Sequence, residues 1–156
     1  MPMLSNFKRH AFAAGVLAAI TTWSTTVFAL DAVNPTGPDH LAIRGTDTTS
    51  YFTKRQPHVG AASHVVKWNG ATWHFVSASE AAKFWANPEA YAPQFGAYCT
   101  GGLSQRHVVE GKPQYWRMHG NKLYLFHTSA GVKRFSKDPQ GTIAKANAYW
   151  RELGME

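Results

Sequence analysis

The chain has 156 residues, 44% of them hydrophobic, with 16 Lys and Arg against 9 Asp and Glu and a single cysteine. That apolar content excludes a disordered polyelectrolyte, and one cysteine excludes an internal disulfide. The length suits one domain, able to bury about two-thirds of its unfolded surface.

Lys8 and Arg9 precede the apolar run AFAAGVLAAI, which is too short for a comfortable membrane span. Val27 and Ala29 stand like the small residues before a signal-peptidase cut. Residues 1–29 therefore read as a secretory signal cleaved after Ala29, and the protein as periplasmic or secreted. Residues 30–39, LDAVNPTGPD, read as a turn-rich lead-in, and the domain proper as residues 40–156. No internal repeat or low-complexity tract is evident.

The first hairpin is HVVKW-NG-ATWHFV. Asn69 and Gly70 both tolerate the positive φ of a type I′ turn. A two-residue loop pairs Trp68 with Ala71 and Val66 with Trp73, and sets His74 opposite Val65. Val66, Trp68, Trp73 and Phe75 then share a core face. Ser77-x-x-Glu80 is a capping box opening a helix that Asn87-Pro88 stops, and Pro88 starts a short helix, PEAYA, ended by Pro93.

The second hairpin is QYWRMH-GN-KLYLFH. It pairs Met118 with Leu123 and Trp116 with Leu125, and sets His127 opposite Gln114. Arg117, His119, Lys122 and Tyr124 are expected on its wetter face. SAGVKRFSK reads as a short helix. Asp138 caps the longest one, with Ile143, Ala146, Trp150 and Leu153 along one stripe. The expectation is an α+β fold: a small single domain with two antiparallel β-hairpins and about four short helices.

Chemistry concentrates in AYCTGGLSQRH, Ala97 to His107. A Cys99 thiolate is a soft ligand, suited to copper before zinc, and needs histidine or methionine beside it. His107 lies across the Gly101-Gly102 pair, read as a flexible loop. His127 is expected to face inward at a strand end, and Met118 to share that strand pair's face. The alternative is a cysteine packed as a small hydrophobe. Arg106 reads as a solvated charge or an anion ligand, and Asp47 as a turn cap or a residue pointing into the site. The aromatic supply, Tyr98 included, could line a pocket beside Cys99 for a small apolar or planar ligand. A Cys99–histidine pair could also serve a thiol enzyme, although no known catalytic motif accompanies it. Residues 105–156 hold nine basic and four acidic residues. That excess reads as a solvated basic face, or as attraction to an anionic membrane surface or an acidic partner, while export argues against nucleic acid.

The stretches LAIRGTDTTSYFTKRQPHVG, WNGATWHFVSASEAAKFWANPEAYAPQFGAYC and GNKLYLFHTSAGVKRFSKDPQGTIAKANAYW together resemble the exported YHS-domain proteins. The resemblance covers most of residues 41–150. It implies an α+β fold and a metal-binding role attached to cysteine, with a metal ion or metal-transport machinery as partner. Of the family's pattern, Tyr98 and Cys99 are present and a second cysteine is absent. Thr46-Asp47-Thr48 stands where many relatives have Tyr-Asp-Pro. The sequence thus supports three readings: a soft-metal binding or metal-homeostasis module, a metal-free small-ligand or protein-interaction module, and a thiol enzyme.

Overall fold

Asn69 and Gly70 both take positive φ, 51° and 76°, and turn the chain back on itself between two strands. The computed structural model, which describes residues 30–36 and 39–155, builds the rest of the fold around that hairpin and a second one. The expected leader lies outside the described residues. In chain order the elements are β1 (Pro35–Thr36), β2 (Leu41–Ala42), β3 (Thr46–Asp47), α1 (Ser50–Thr53), β4 (His58–Val59), β5 (Ala61–Trp68), β6 (Ala71–Phe75), α2 (Ala78–Ala86) and α3 (Pro88–Tyr91). Then come α4 (Thr100–Leu103), β7 (Lys112–His119), β8 (Lys122–Phe126), α5 (Ser129–Lys137) and α6 (Pro139–Glu152). The fold is a small α+β domain. The six α-helices among the described residues exceed the four expected because α1 and α4 are single turns without a hydrophobic period to announce them.

Strands β1-β2-β6-β5 form one sheet, and β3-β4 and β7-β8 form two small ladders. In the first hairpin Trp68 pairs Ala71, Val66 pairs Trp73 and Val65 pairs His74, the register read from the two-residue loop. In the second, Met118 pairs Leu123 and Trp116 pairs Leu125, again as expected. Beyond that point a bulge shifts the ladder, so that Lys112 pairs Phe126. His127 therefore does not sit opposite Gln114. The lead-in is also part of the domain. Val33 is buried, β1 pairs β2, and the Asn34 N–H donates to the Gly96 carbonyl at 2.7 Å.

Two cores share β8. Leu123 and Leu125 join Val66, Trp73, Phe75 and Phe84 in the first. Tyr124 and Phe126 join Phe95, Leu103, Val132 and Phe135 in the second. The wetter face expected for Tyr124 is thus covered. α5 lies over it and α6 packs on α4 and α5, with Ala146 fully buried and Ile143, Trp150 and Leu153 in the same core. Each such aromatic or leucine contributes about 1.5–3 kcal/mol by leaving water.

The fold repeats itself, which the sequence reading missed. Ile43, Arg44 and Gly45 run at φ 49°, 53° and 74°, and Phe95, Gly96 and Ala97 at 57°, 56° and 67°. Three successive left-handed residues are rare, because each L side chain there costs about 1–2 kcal/mol. After each turn comes an equivalent pairing, Thr46 with Val59 and Tyr98 with Glu110. Gly60 N–H then bonds the Gly45 carbonyl at 2.9 Å, as Gly111 N–H bonds the Ala97 carbonyl at 3.1 Å. A bulged hairpin follows in both halves. Ser77 caps α2 as Thr128 caps α5, and Asn87 caps α3 as Asp138 caps α6, each of these last two helices starting on proline. Phe84 and Phe135 occupy matching helix positions. The two halves are one supersecondary pattern used twice.

Candidate functional site

Cys99 follows the second left-handed turn. Its N–H donates to the Val109 carbonyl at 2.8 Å, and the residue caps α4. Its Sγ accepts two backbone N–H groups, from Gly102 and from His127, both at 3.2 Å. The side chain is 5% exposed and sits in the second core. In the repeat, the residue matching Cys99 is Asp47. Its Oδ1 accepts the Thr49 N–H at 2.8 Å, and its Oδ2 accepts the Val76 N–H at 2.9 Å. Val76 stands at the end of β6 where His127 stands at the end of β8. Sulfur in one half therefore takes the place of a fully buried carboxylate in the other, against the same strand-end amide. N–H dipoles converging on one atom stabilise negative charge there.

His127 meets the sulfur through its backbone N–H, and its ring is anchored separately. Its Nδ1 lies 3.0 Å from the Glu110 carbonyl. A carbonyl only accepts, so Nδ1 carries a proton, and in the neutral ring the lone pair is then on Nε2. Metal-ligating histidines are commonly oriented this way. The half-buried ring follows directly on the backbone N–H that touches Sγ.

The other expected ligands lie elsewhere. His107 is exposed, and its N–H bonds the Gly102 carbonyl at 2.9 Å. Gly101 and Gly102 are not a flexible loop that folds it back. They sit in α4, where Leu103 N–H bonds the Cys99 carbonyl at 2.9 Å and Ser104 N–H the Thr100 carbonyl at 3.0 Å. Gly102 is there because backbone and side chain crowd it. A Cβ would stand 2.7 Å from Val109 Cγ2 and 2.9 Å from the His107 carbonyl oxygen. Met118 packs on the first core, whereas Cys99 belongs to the second. Among the described residues, no three His, Cys, Asp or Glu side chains gather as a metal group.

Asp47 caps its turn and makes no hydrogen bond to the Cys99 loop. Tyr98 is buried, and its hydroxyl donates to the Asp31 carbonyl at 3.2 Å. Burial, helped by the Asp31 charge, pushes the Tyr98 phenol up to about 12. Arg106 is an exposed charge, as expected, with a partner on α6. It forms a two-pronged pair with Glu152 at 2.9 and 2.6 Å and lies 4.8 Å over the Tyr149 ring.

The aromatic pocket exists, but Cys99 is not on its wall. A cavity of about 300 Å³ opens between Trp68 and Trp73 on one side and Phe95 and Trp150 on the other, with Glu89 and Asn147 at its edge. It lies on the seam of the two cores, since Trp68 and Trp73 belong to the first and Phe95 and Trp150 to the second. Sequence reading also passed over Glu110. Its carbonyl holds the His127 ring while its carboxylate takes Arg44 at 2.6 and 2.7 Å. Thr100 was passed over as well, a fully buried hydroxyl with no hydrogen-bond partner among the described residues. The repeat was the signal that could have drawn attention to these positions.

Comparison of the chain with protein-family models, with curated proteins and with solved structures gives no match. No described helix is long and apolar enough to cross a membrane.

Proposed function

We propose that the protein is an exported, YHS-like binding module that carries a soft cation, Cu(I) by its chemistry, at the Cys99–His127 corner. The observation behind this reading is the setting of the sulfur. Two backbone N–H groups point at Sγ, where the other half of the fold keeps a carboxylate. A cysteine sulfur is a soft ligand, and His127 Nε2 is a compatible second donor. One sulfur and one nitrogen fall short of the four ligands of a structural zinc site. In this reading the metal is cargo. The amides of Gly102 and His127 stabilise the sulfur, the Glu110 carbonyl orients the imidazole, and Leu103 and Phe126 keep water from the corner.

Anaerobic Cu(I) titration against a competing chelator tests the reading. Cys99→Ala and Cys99→Asp should lose binding, the aspartate variant while keeping the fold, and His127→Gln should weaken it. Undiminished binding by Cys99→Asp would refute the assignment.

A second reading is favoured by the tryptophan-walled cavity, whose size and lining suit a small planar ligand. Native mass spectrometry of protein purified from its own source should then show an organic adduct. Loss of that adduct in Trp150→Ala, with the fold intact, would tie it to this cavity.

A further inference from the structure

The two halves differ most beside the matched pair Asp47 and Cys99. In the first half the Glu80 carboxylate is supplied to a cleft of about 140 Å³ lined by Asp47, Thr49, Thr53 and Glu80. It accepts the Thr49 hydroxyl at 2.6 Å and the Lys83 ammonium at 2.8 and 2.9 Å. The matching positions in the second half are Gly131 for Glu80, Gly101 for Thr49 and Arg134 for Lys83. The hydroxyl and the carboxylate are gone and the cation is kept.

The second half has a cleft of about 160 Å³ lined by Gly101, Gly131, Arg134, Lys145, Thr142 and Gln105, similar in size to that of the first half but without its carboxylates. Packing does not force the two glycines. A Cβ at Gly101 would meet nothing closer than 3.6 Å, and one at Gly131 nothing closer than 3.5 Å. The charged lining is two cations and no acid. Neither Arg134 nor Lys145 has an ion-pair partner among the described residues. Ser104 and Gln105 donate to the Gly101 carbonyl at 2.8 and 3.0 Å, and Thr142 to the Asp138 carbonyl at 2.7 Å, which leaves the two cations and the second Gln105 amide N–H as side-chain donors for a ligand. The space is shaped and charged for what the first half supplies covalently.

We propose that this cleft binds a small free carboxylate, about the size of acetate, whose carboxylate group occupies the place that Glu80 fills in the first half. The Arg134 guanidinium holds it in the role of Lys83, and Lys145 adds a second positive charge from α6. The cleft adjoins the Cys99 corner, since a Cβ on Gly101 would lie 3.9 Å from Sγ. The proposal does not depend on metal at that corner.

The test uses metal-free, ¹⁵N-labelled protein with chelator present, so that a failure of the copper reading leaves it untouched. Sodium acetate is added at constant ionic strength, replacing sodium chloride, and the Gly101 and Gly131 amide signals are followed. The expected result is a saturable shift at both amides. Affinity should fall about tenfold or more in Arg134→Gln/Lys145→Gln, both residues being exposed. The acetate response should vanish in Gly131→Glu, where the carboxylate is tethered. No saturable shift at these amides, equal affinity in the double variant, or an unchanged response in Gly131→Glu would each overturn the proposal.

Discussion

Cys99 and Asp47 stand in the same place in the two halves of the fold. The His127 N–H meets Sγ at 3.2 Å, and the Val76 N–H meets Oδ2 at 2.9 Å. The pocket in the backbone is therefore one that a carboxylate can occupy. Cys99→Asp should fold and stay within about 1 kcal/mol of the unmutated protein at neutral pH. Cys99→Ala leaves the buried amides of Gly102 and His127 without an acceptor and should lose about 1–3 kcal/mol. Urea unfolding of both variants separates the two; an alanine variant as stable as the aspartate variant would mean that the amides do not need the acceptor.

Neighbouring glycines should respond in opposite ways. Gly102→Ala drives a Cβ against Val109 and the His107 carbonyl, and should cost about 1–3 kcal/mol. Gly101→Ala meets only ordinary contacts inside a helical turn, so it should be neutral or stabilise by about 0.5–1 kcal/mol. Thermal unfolding of the pair checks this, and equal losses would contradict the close approach seen at Gly102 alone.

The N-terminus of α5 lacks half of a capping box. Thr128 caps it, accepting the Gly131 N–H at 3.2 Å, but the acid found in α2 is replaced by glycine. Gly131→Glu restores the acid beside the helix N-terminus and removes a helical glycine. It should stabilise the fold by about 0.5–1.5 kcal/mol in urea unfolding. A loss of stability would show the glycine to be required for packing after all.

Glu80 gives the fold a pH-dependent contact. Burial raises its carboxyl, but hydrogen bonds from Lys83 and Thr49 outweigh that and hold it below the usual carboxylate range. A depressed carboxylate stabilises the fold above its unfolded titration range, and that contribution is lost as pH falls through the folded one. Lys83 is raised by Glu80, so its share is lost only on the alkaline side. Both side chains are partly in solvent, so the pair is worth about 0.5–1 kcal/mol. Glu80→Gln should remove that amount at neutral pH and very little well below the carboxylate range. An equal loss at both pH values would assign the effect to packing.

How much was legible in the sequence differs by level. The hairpin at Asn69-Gly70, both registers near the turns, and the caps at Ser77 and Asp138 follow from local chemistry, and local chemistry is what a sequence displays. The side of Tyr124 was misread because alternation assigns a wet face to any strand covered once, and β8 is covered twice. The bulge beyond Trp116, which moves His127, leaves no composition signal. The repeat stayed hidden because its halves keep few identities, Phe75 with Phe126, Phe84 with Phe135 and Pro88 with Pro139 among them. At the candidate site the match is between a carboxylate and a thiol. They look unrelated as letters and become comparable only through the amides that both accept.

The double coverage of β8 bears on how the molecule comes apart. Leu123 and Leu125 leave one core when the strand detaches, and Tyr124 and Phe126 leave the other. Neither half can melt around this strand and leave its twin intact. Although the architecture is built from two similar units, its unfolding should be a single cooperative event, with the amides of β8 among the last to exchange with solvent.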